Sequence, residues 1–409
     1  MREAEDHRNG YRGFPSRLAY EIHYPGKLPA TRILAETKAA RLVARDLVEG
    51  PGASRNMLIH GDNLSVLKAL LENPSVCRKV RLVYIDPPFG TRLAFVDRNG
   101  DSAYHDMLDG AEYLDFLRRR LILLRELLAD DGSIYVHLDN KMAFAVKVLM
   151  DEIFGPRNFQ NWIARKKCNR KNYTSRRFGN IQDFILFYTK SRNYVWNRQS
   201  EERGIYSFEQ RFPHVELETG RRYALVPVHA RGVRNGTTGQ PWRGMVPPLG
   251  KHWQIPPQKL DELDARGEIY WSPTGNPRRK IYADERESGV PVQDIWIEFQ
   301  DERNQMIQTT GYPTEKNVDL LKRIIAASSN QGDVVLDCFV GSGTTPAAAT
   351  ELGRYWLAVD SAELAVSVTR ERLAQLYCKW QRQNQLPLLA DAGQTTTAGY
   401  TFYRAEASD

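Results

Sequence analysis

Leu82-Val83-Tyr84-Ile85-Asp86-Pro87-Pro88-Phe89 is a short run of β-branched and aromatic residues that ends in an acid, two prolines and a ring. The run predicts a strand covered on both faces, and the prolines, fixed in φ and lacking N–H groups, stop it at once. Asp86 and Phe89 are thereby delivered to the rim of a sheet, beside the free carbonyls of a stiff turn. That set suits a planar ligand bearing an NH2 group. Its two hydrogens go to Asp86 and to the Pro87 carbonyl while Phe89 stacks on the ring, and a nucleobase with an exocyclic amine meets the description. Asp and Pro also make ordinary turns, so the octapeptide by itself leaves a plain strand end as the alternative.

Outward from this stretch, the pattern alternates between strands and helices. Upstream, Met57-Leu58-Ile59-His60 leads into Gly61-Asp62-Asn63 and a helix over 64–71 with Leu64, Leu67 and Leu71 at helical spacing. Downstream come a loop over 90–110 suited to a lid, a helix over 113–128, a strand over 133–138, a helix over 143–154 and strands over 159–164 and 184–188. A second block holds a helix over 314–328, the strand Val334-Val335-Leu336, a strand over 355–359 and a helix over 362–376. Strands alternating with helices predict an α/β fold around a parallel sheet. Residues 1–55 read as a polar arm followed by a helical stretch over 32–48, and the tail after Asn384 as partly irregular.

In the second block the strand runs into Asp337-Cys338-Phe339-Val340-Gly341-Ser342-Gly343-Thr344-Thr345 and then a helix. Two glycines before a helix N-terminus let a ligand approach the backbone and its unpaired N–H groups. Pro346 occupies the place of the third glycine of a dinucleotide fingerprint, and no Gly-Lys-Ser/Thr follows. Asp360, at the end of the next strand, is placed to accept ribose hydroxyls, with a helix N-cap as the structural alternative. A cofactor with a ribose and no pyrophosphate fits best.

Composition bounds the remainder. The 409 residues are 42% hydrophobic and 26% charged, ordinary for a soluble globular chain, and no window approaches the roughly 18 apolar residues of a membrane span. A cytoplasmic, nucleoid-associated protein is expected. Cys77, Cys168, Cys338 and Cys378 are scattered without ligand spacing, so no metal site is expected. The formal charge is +7, and residues 161–300 hold 24 Lys and Arg against 15 Asp and Glu, so the basic surplus lies wholly there. The same segment carries six of the eight tryptophans. Cations interleaved with aromatics suit phosphate contact and base stacking, although tryptophan more often builds core. Arg165, Lys166, Lys167, Arg170, Lys171, Arg176 and Arg177 fall in one polar loop read either as a clamp on a phosphate backbone or as a solvated face. From about 193 to 293, turn formers multiply and mark an inserted module.

Gly-Asp-Asn at 61–63, Asp-Pro-Pro-Phe at 86–89, Tyr-Pro-Thr-Glu-Lys at 312–316 and Asp-Cys-Phe-Val-Gly-Ser-Gly-Thr-Thr at 337–345 resemble the motifs of the permuted (β-class) DNA amino-methyltransferases. The resemblance spans about 56–190 and 294–376. It implies a Rossmann-like, circularly permuted domain with a central, mostly parallel seven-stranded sheet. The order would be an arm (1–55), a catalytic half (56–192), a target-recognition region (193–293), an S-adenosylmethionine half (294–380) and a tail (381–409). It further implies Asp86, Pro87, Pro88 and Phe89 as the catalytic tetrapeptide. Phe339, Gly341, Ser342, Gly343 and Thr344 would cradle the methionine end of S-adenosylmethionine with Asp337 at its amino group, Asp360 at its ribose, Asp62 at its adenine, and Pro313 and Lys316 nearby. The family tetrapeptide usually ends in Tyr; Phe89 keeps the stacking face without the hydroxyl. Asp in first position resembles adenine-specific, type III modification-like members. The expected activity is therefore N6-adenine methylation of double-stranded DNA, with cytosine-N4 methylation or a non-catalytic DNA-binding subunit as alternatives. A homodimer and a cognate restriction endonuclease are the partners so implied.

Overall fold

The computed structural model describes residues 20–49, 55–88, 94–96, 102–105, 110–169, 176, 178–201, 209–284, 290–300, 315–384 and 399–407. They form two compact units: residues 1–199 with 293–409, and the contiguous insertion 200–292.

The larger unit is built on a ten-stranded sheet. Numbered along the chain, its strands are β1 (Arg41–Val48), β2 (Met57–His60), β3 (Val80–Ile85), β4 (Leu128–Leu138), β5 (Phe159–Lys166), β6 (Gln182–Thr189), β7 (Ile295–Trp296), β8 (Val334–Asp337), β9 (Tyr355–Asp360) and β10 (Tyr400–Glu406). Their spatial order is β1-β10-β2-β9-β8-β3-β4-β6-β5-β7. The six strands from β10 to β4 are mutually parallel. β6 runs against β4 and β5, and β1 runs against β10. Leu82, Val83 and Ile85 in β3 and Val335 and Leu336 in β8 are fully buried, as strands covered on both faces must be.

Helices α1 (Ala30–Glu36), α2 (Asn63–Glu72), α3 (Gly110–Leu127) and α4 (Ala143–Phe154) pack on one another, as do α5 (Val318–Ser328), α6 (Thr344–Glu351) and α7 (Glu363–Asn384). Ile59, Val83, Ile85, Val136, Leu336, Leu357 and Val359 share a core with α1–α4. By strand alternation Tyr84, Asp86, His137, Asp337 and Asp360 therefore belong to the opposite face.

The strands expected over 57–60, 82–85, 133–138, 159–164, 184–188, 334–336 and 355–359 are present, but the expected seven-stranded sheet is corrected to ten strands, because β1, β7 and β10 pair onto it. The expected helix over 32–48 is corrected: it is α1 followed by strand β1. Ala, Leu and charged residues favour a helix locally, but the backbone of β1 is satisfied by β10, more than 350 residues later, and its edge is tied by Arg41 and Arg45 to Glu406. The tail likewise contains a strand lying between β1 and β2.

The smaller unit contains a four-stranded antiparallel sheet of His214–Val215, Arg222–Pro227, Pro277–Tyr282 and Ile269–Trp271. Its core is Val228, Trp242, Trp253, Leu260, Leu263 and Ile269, with Trp271 packed on it. Three of the tryptophans counted as stacking candidates are thus core or core-packed here. The pairing of Val290–Pro291 with Ser200–Glu201 closes the base of the insertion.

Candidate active site

Register brings the two distant motifs together. Val83 in β3 pairs with Leu336 in β8, so three residues further on in each strand Asp86 stands level with Phe339 at the head of the glycine turn. β9 lies on the other side of β8, and β2 beyond it, with Asp360 paired to His60. Four adjacent parallel strands therefore end in or near a carboxylate: Asp62, Asp360, Asp337 and Asp86. This is the carboxyl edge where open α/β sheets bind ligands.

Each acid is differently held. Oδ2 of Asp86 lies 2.8 Å from Nζ of Lys316, and Oδ1 is buried without a hydrogen-bond partner among the described residues. Asp337 accepts the Phe339 N–H at 2.9 Å and the Thr345 hydroxyl at 2.5 Å. Burial, with the charges of Asp86 and Asp360 adding to it, pushes its carboxyl up to about 7. Asp360 accepts the Gly341 N–H and the Ala362 N–H, each at 2.9 Å, and burial raises it too. Asp62 caps α2 by accepting the Ser65 N–H and pairs with Arg120 at 3.0 Å. Asp360 thus spends its carboxylate on two backbone N–H groups, one in the glycine turn and one just ahead of α7.

The glycine turn is braced by residues that motif reading did not single out. Arg372 on α7 donates to the Ser342 carbonyl at 3.1 Å and to the Thr344 hydroxyl at 2.9 Å, and pairs with Glu315 at 2.7 Å. Asn63 donates to the Cys338 carbonyl at 2.7 Å, which fastens the Gly-Asp-Asn turn to the glycine strand. Arg120 lies 3.6 Å above the Phe116 ring, and that ring is 6.0 Å from Phe339. Gly343 sits at φ +76°, and a Cβ there would come within 2.9 Å of Thr369. Its glycine is demanded by helix packing as well as by any ligand. Nothing local in the sequence marks Arg120, which follows Arg118 and Arg119, or Arg372, which follows Arg370, as the arginine that braces the turn. Both they and Lys316 are engaged by acids, so the row of carboxylates favours a positively charged, nucleoside-like ligand over a pyrophosphate.

Beside Asp86, on the same face, runs a buried polar chain. The Tyr84 hydroxyl is 2.8 Å from His137 Nδ1, His137 Nε2 is 3.2 Å from Asp183 Oδ2, and Arg165 and Lys167 pair with Asp183 at 3.3 and 2.8 Å. Burial, then the charge of Lys316, pulls the imidazole below its ordinary value. Burial alone would raise Asp183, but its His137 hydrogen bond and the charges of His137, Lys316 and Lys167 outweigh this and hold it low.

Arg165 is a correction. Expected to grip phosphate, it is wholly buried, donating from Nε to the Phe299 carbonyl at 2.7 Å. The reason is that β5 runs on to Lys166, so Arg165 faces Asp183 across the ladder rather than standing in a loop. Lys166 is half-buried, Lys167 is engaged by Asp183, and Arg176 is exposed. Phe89, Pro313, Arg170, Lys171 and Arg177 lie outside the described residues. No helix among the described residues is long and apolar enough to cross a membrane.

Comparison with known proteins agrees with this geometry. Residues 80–371 match the family model for DNA methylases of the N6/N4 type. The chain is 44% identical over 355 residues to the type II methyltransferase M.EcaI of Enterobacter cloacae, covering 86% of this chain and 77% of that one. It is 29% identical to the type II methyltransferase M1.MboII of Moraxella bovis, covering 69% and 85%. With the Mod subunit of the type III restriction-modification enzyme StyLTI of Salmonella typhimurium the identity is 27%, over 80% of this chain and 55% of the subunit. The chain thus spans about half the length of that relative.

Proposed function

Because the chain belongs to the DNA methylase family of N6 and N4 amino-methyltransferases, we propose that it transfers a methyl group from S-adenosylmethionine to the N6 amine of adenine in duplex DNA, within a restriction-modification system. One observation carries this reading: a buried carboxylate oxygen, Asp86 Oδ1, left without a partner at the sheet edge level with the glycine turn. An aromatic amine is a poor nucleophile because its lone pair is delocalised into the ring. Asp86 Oδ1 and the Pro87 carbonyl accept its two hydrogens and so raise the electron density on nitrogen in the transition state. A donor held by Asp337, Asp360 and the glycine turn would supply an electrophilic sulfonium methyl; the amine nitrogen would take it with loss of one proton to solvent, the sulfur leaving as a neutral thioether. In this reading Asp337 takes the donor's ammonium and Asp360 its ribose, and the buried Asp337 would exchange a solvation deficit for an ion pair. In a duplex the amine is stacked and paired, so the base is first turned out and stacked on Phe89. The insertion 200–292, a unit of its own within the basic segment, reads the sequence around the target.

The test is transfer from tritiated S-adenosylmethionine to unmethylated bacterial genomic DNA, followed by digestion to nucleosides and chromatography. Label in N6-methyldeoxyadenosine supports the reading. Label in N4-methyldeoxycytidine moves the target to cytosine, and no label at all leaves a DNA-binding subunit.

A further inference from the structure

Lys316 stands in an unexpected place. Its motif resemblance puts it near the cofactor, yet its ammonium lies 2.8 Å from Asp86 Oδ2, and the two side chains are only 10% and 16% exposed. The other oxygen of the same carboxylate is buried and without a hydrogen-bond partner among the described residues. An unsatisfied buried acceptor is destabilising, more so when charged, and folding alone gives no reason to keep one. The lysine, moreover, is held in place from both sides. Preceding it, Glu315 is paired with Arg372, and following it Asn317 caps α5 by accepting the N–H groups of Asp319 and Leu320. Its own carbonyl lies 3.5 Å from the Thr344 hydroxyl, at the N-terminus of α6 just past the glycine turn. A long side chain anchored in this way loses the rotamer freedom that would blur its aim.

We propose that Lys316 is a positioning residue for Asp86: by holding Oδ2 it fixes the plane of the carboxylate and presents Oδ1 to the amino group of the extruded base. This rests on the assignment of Asp86 as the acceptor of that amine. Lys316 contributes to the orientation of the base and not to the grip on the cofactor, so its removal acts on the rate of transfer while leaving cofactor affinity in place. Without the ammonium the carboxylate rotates or draws in water, and a misaimed hydrogen bond in the transition state costs about 10²-fold in rate.

The experiment uses the full chain with Lys316→Met, Lys316→Arg and Asp86→Asn. S-adenosylmethionine affinity is measured by calorimetry, and single-turnover transfer is measured on unmethylated bacterial genomic DNA. Lys316→Met is expected to slow transfer about 10²-fold with cofactor affinity changed less than about 3-fold, and Lys316→Arg to recover at least about a tenth of the rate. In the Asp86→Asn background, adding Lys316→Met should cost nothing further, because the group it positions is gone. The proposal is overturned if Lys316→Met transfers within about 3-fold of the parent, or if its cofactor affinity falls in step with its rate. Should Lys316→Met fail to fold by circular dichroism, Lys316→Leu, which likewise removes the donor, is judged by the same two criteria. Near-normal transfer by Asp86→Asn would instead remove the premise; an inactive Asp86→Asn beside a fast Lys316→Met removes this proposal alone.

Discussion

Asp337 shows what burial does to a single residue. Its carboxyl is almost inaccessible, it is hydrogen-bonded to Phe339 and Thr345, and burial lifts it to about 7. A carboxyl raised in the folded state contributes fully below its unfolded value, near 4, and that contribution fades as pH climbs through about 7. The difference corresponds to as much as about 4 kcal/mol. The contribution of Asp337 to the thermal stability of the ligand-free protein is therefore expected to fall between pH 4 and 7. Asp337→Asn, which cannot ionise, should melt close to the parent at pH 4 and above it at pH 8. Differential scanning calorimetry at the two pH values decides; an unchanged difference between parent and variant contradicts the assignment. At this scale the sequence was readable where position is marked by neighbouring residues, as for Asp86 at the end of β3, and misleading where position depends on pairing with a distant strand. Arg165 has the composition of a phosphate ligand, but its register opposite Asp183 is a property of two strands that no local window displays.

Among the elements, the glycine turn and the two outermost strand partners behave differently. The turn was legible because its residues are consecutive, yet what makes Gly343 necessary is Thr369, a residue of helix α7 further along the chain. Gly343→Ala meets both a left-handed φ and the Thr369 side chain, and should cost about 1–3 kcal/mol, read as a shift of the urea midpoint without a change of slope. A shift of less than about 0.5 kcal/mol would show that the turn relaxes. β1 and β10 were not legible: their pairing joins residues at opposite ends of the chain, and the composition of β1 favours a helix. β10 nevertheless carries core, with Phe402 only 5% exposed. Phe402→Ala should lose about 3–5 kcal/mol by equilibrium denaturation. A neutral result would make the strand an ornament of the sheet instead of part of its core.

Across the whole molecule, two stretches 250 residues apart, the acid-proline turn after β3 and the glycine turn after β8, converge because their strands are neighbours in one parallel sheet. The local pattern predicted each strand; only the family resemblance predicted that they would be adjacent. The insertion folds around its own tryptophan core, which explains why its aromatics were poor guides to a binding surface. If the two turns form one centre for methylating adenine, the product is written into the DNA of any cell that makes the protein. Single-molecule sequencing of DNA from a methylase-deficient bacterium expressing the chain measures this directly. The account predicts N6-methyladenine within one recurring sequence, absent when Asp86→Ala is expressed at the same level; N4-methylcytosine in its place, or methylation that survives Asp86→Ala, would contradict it.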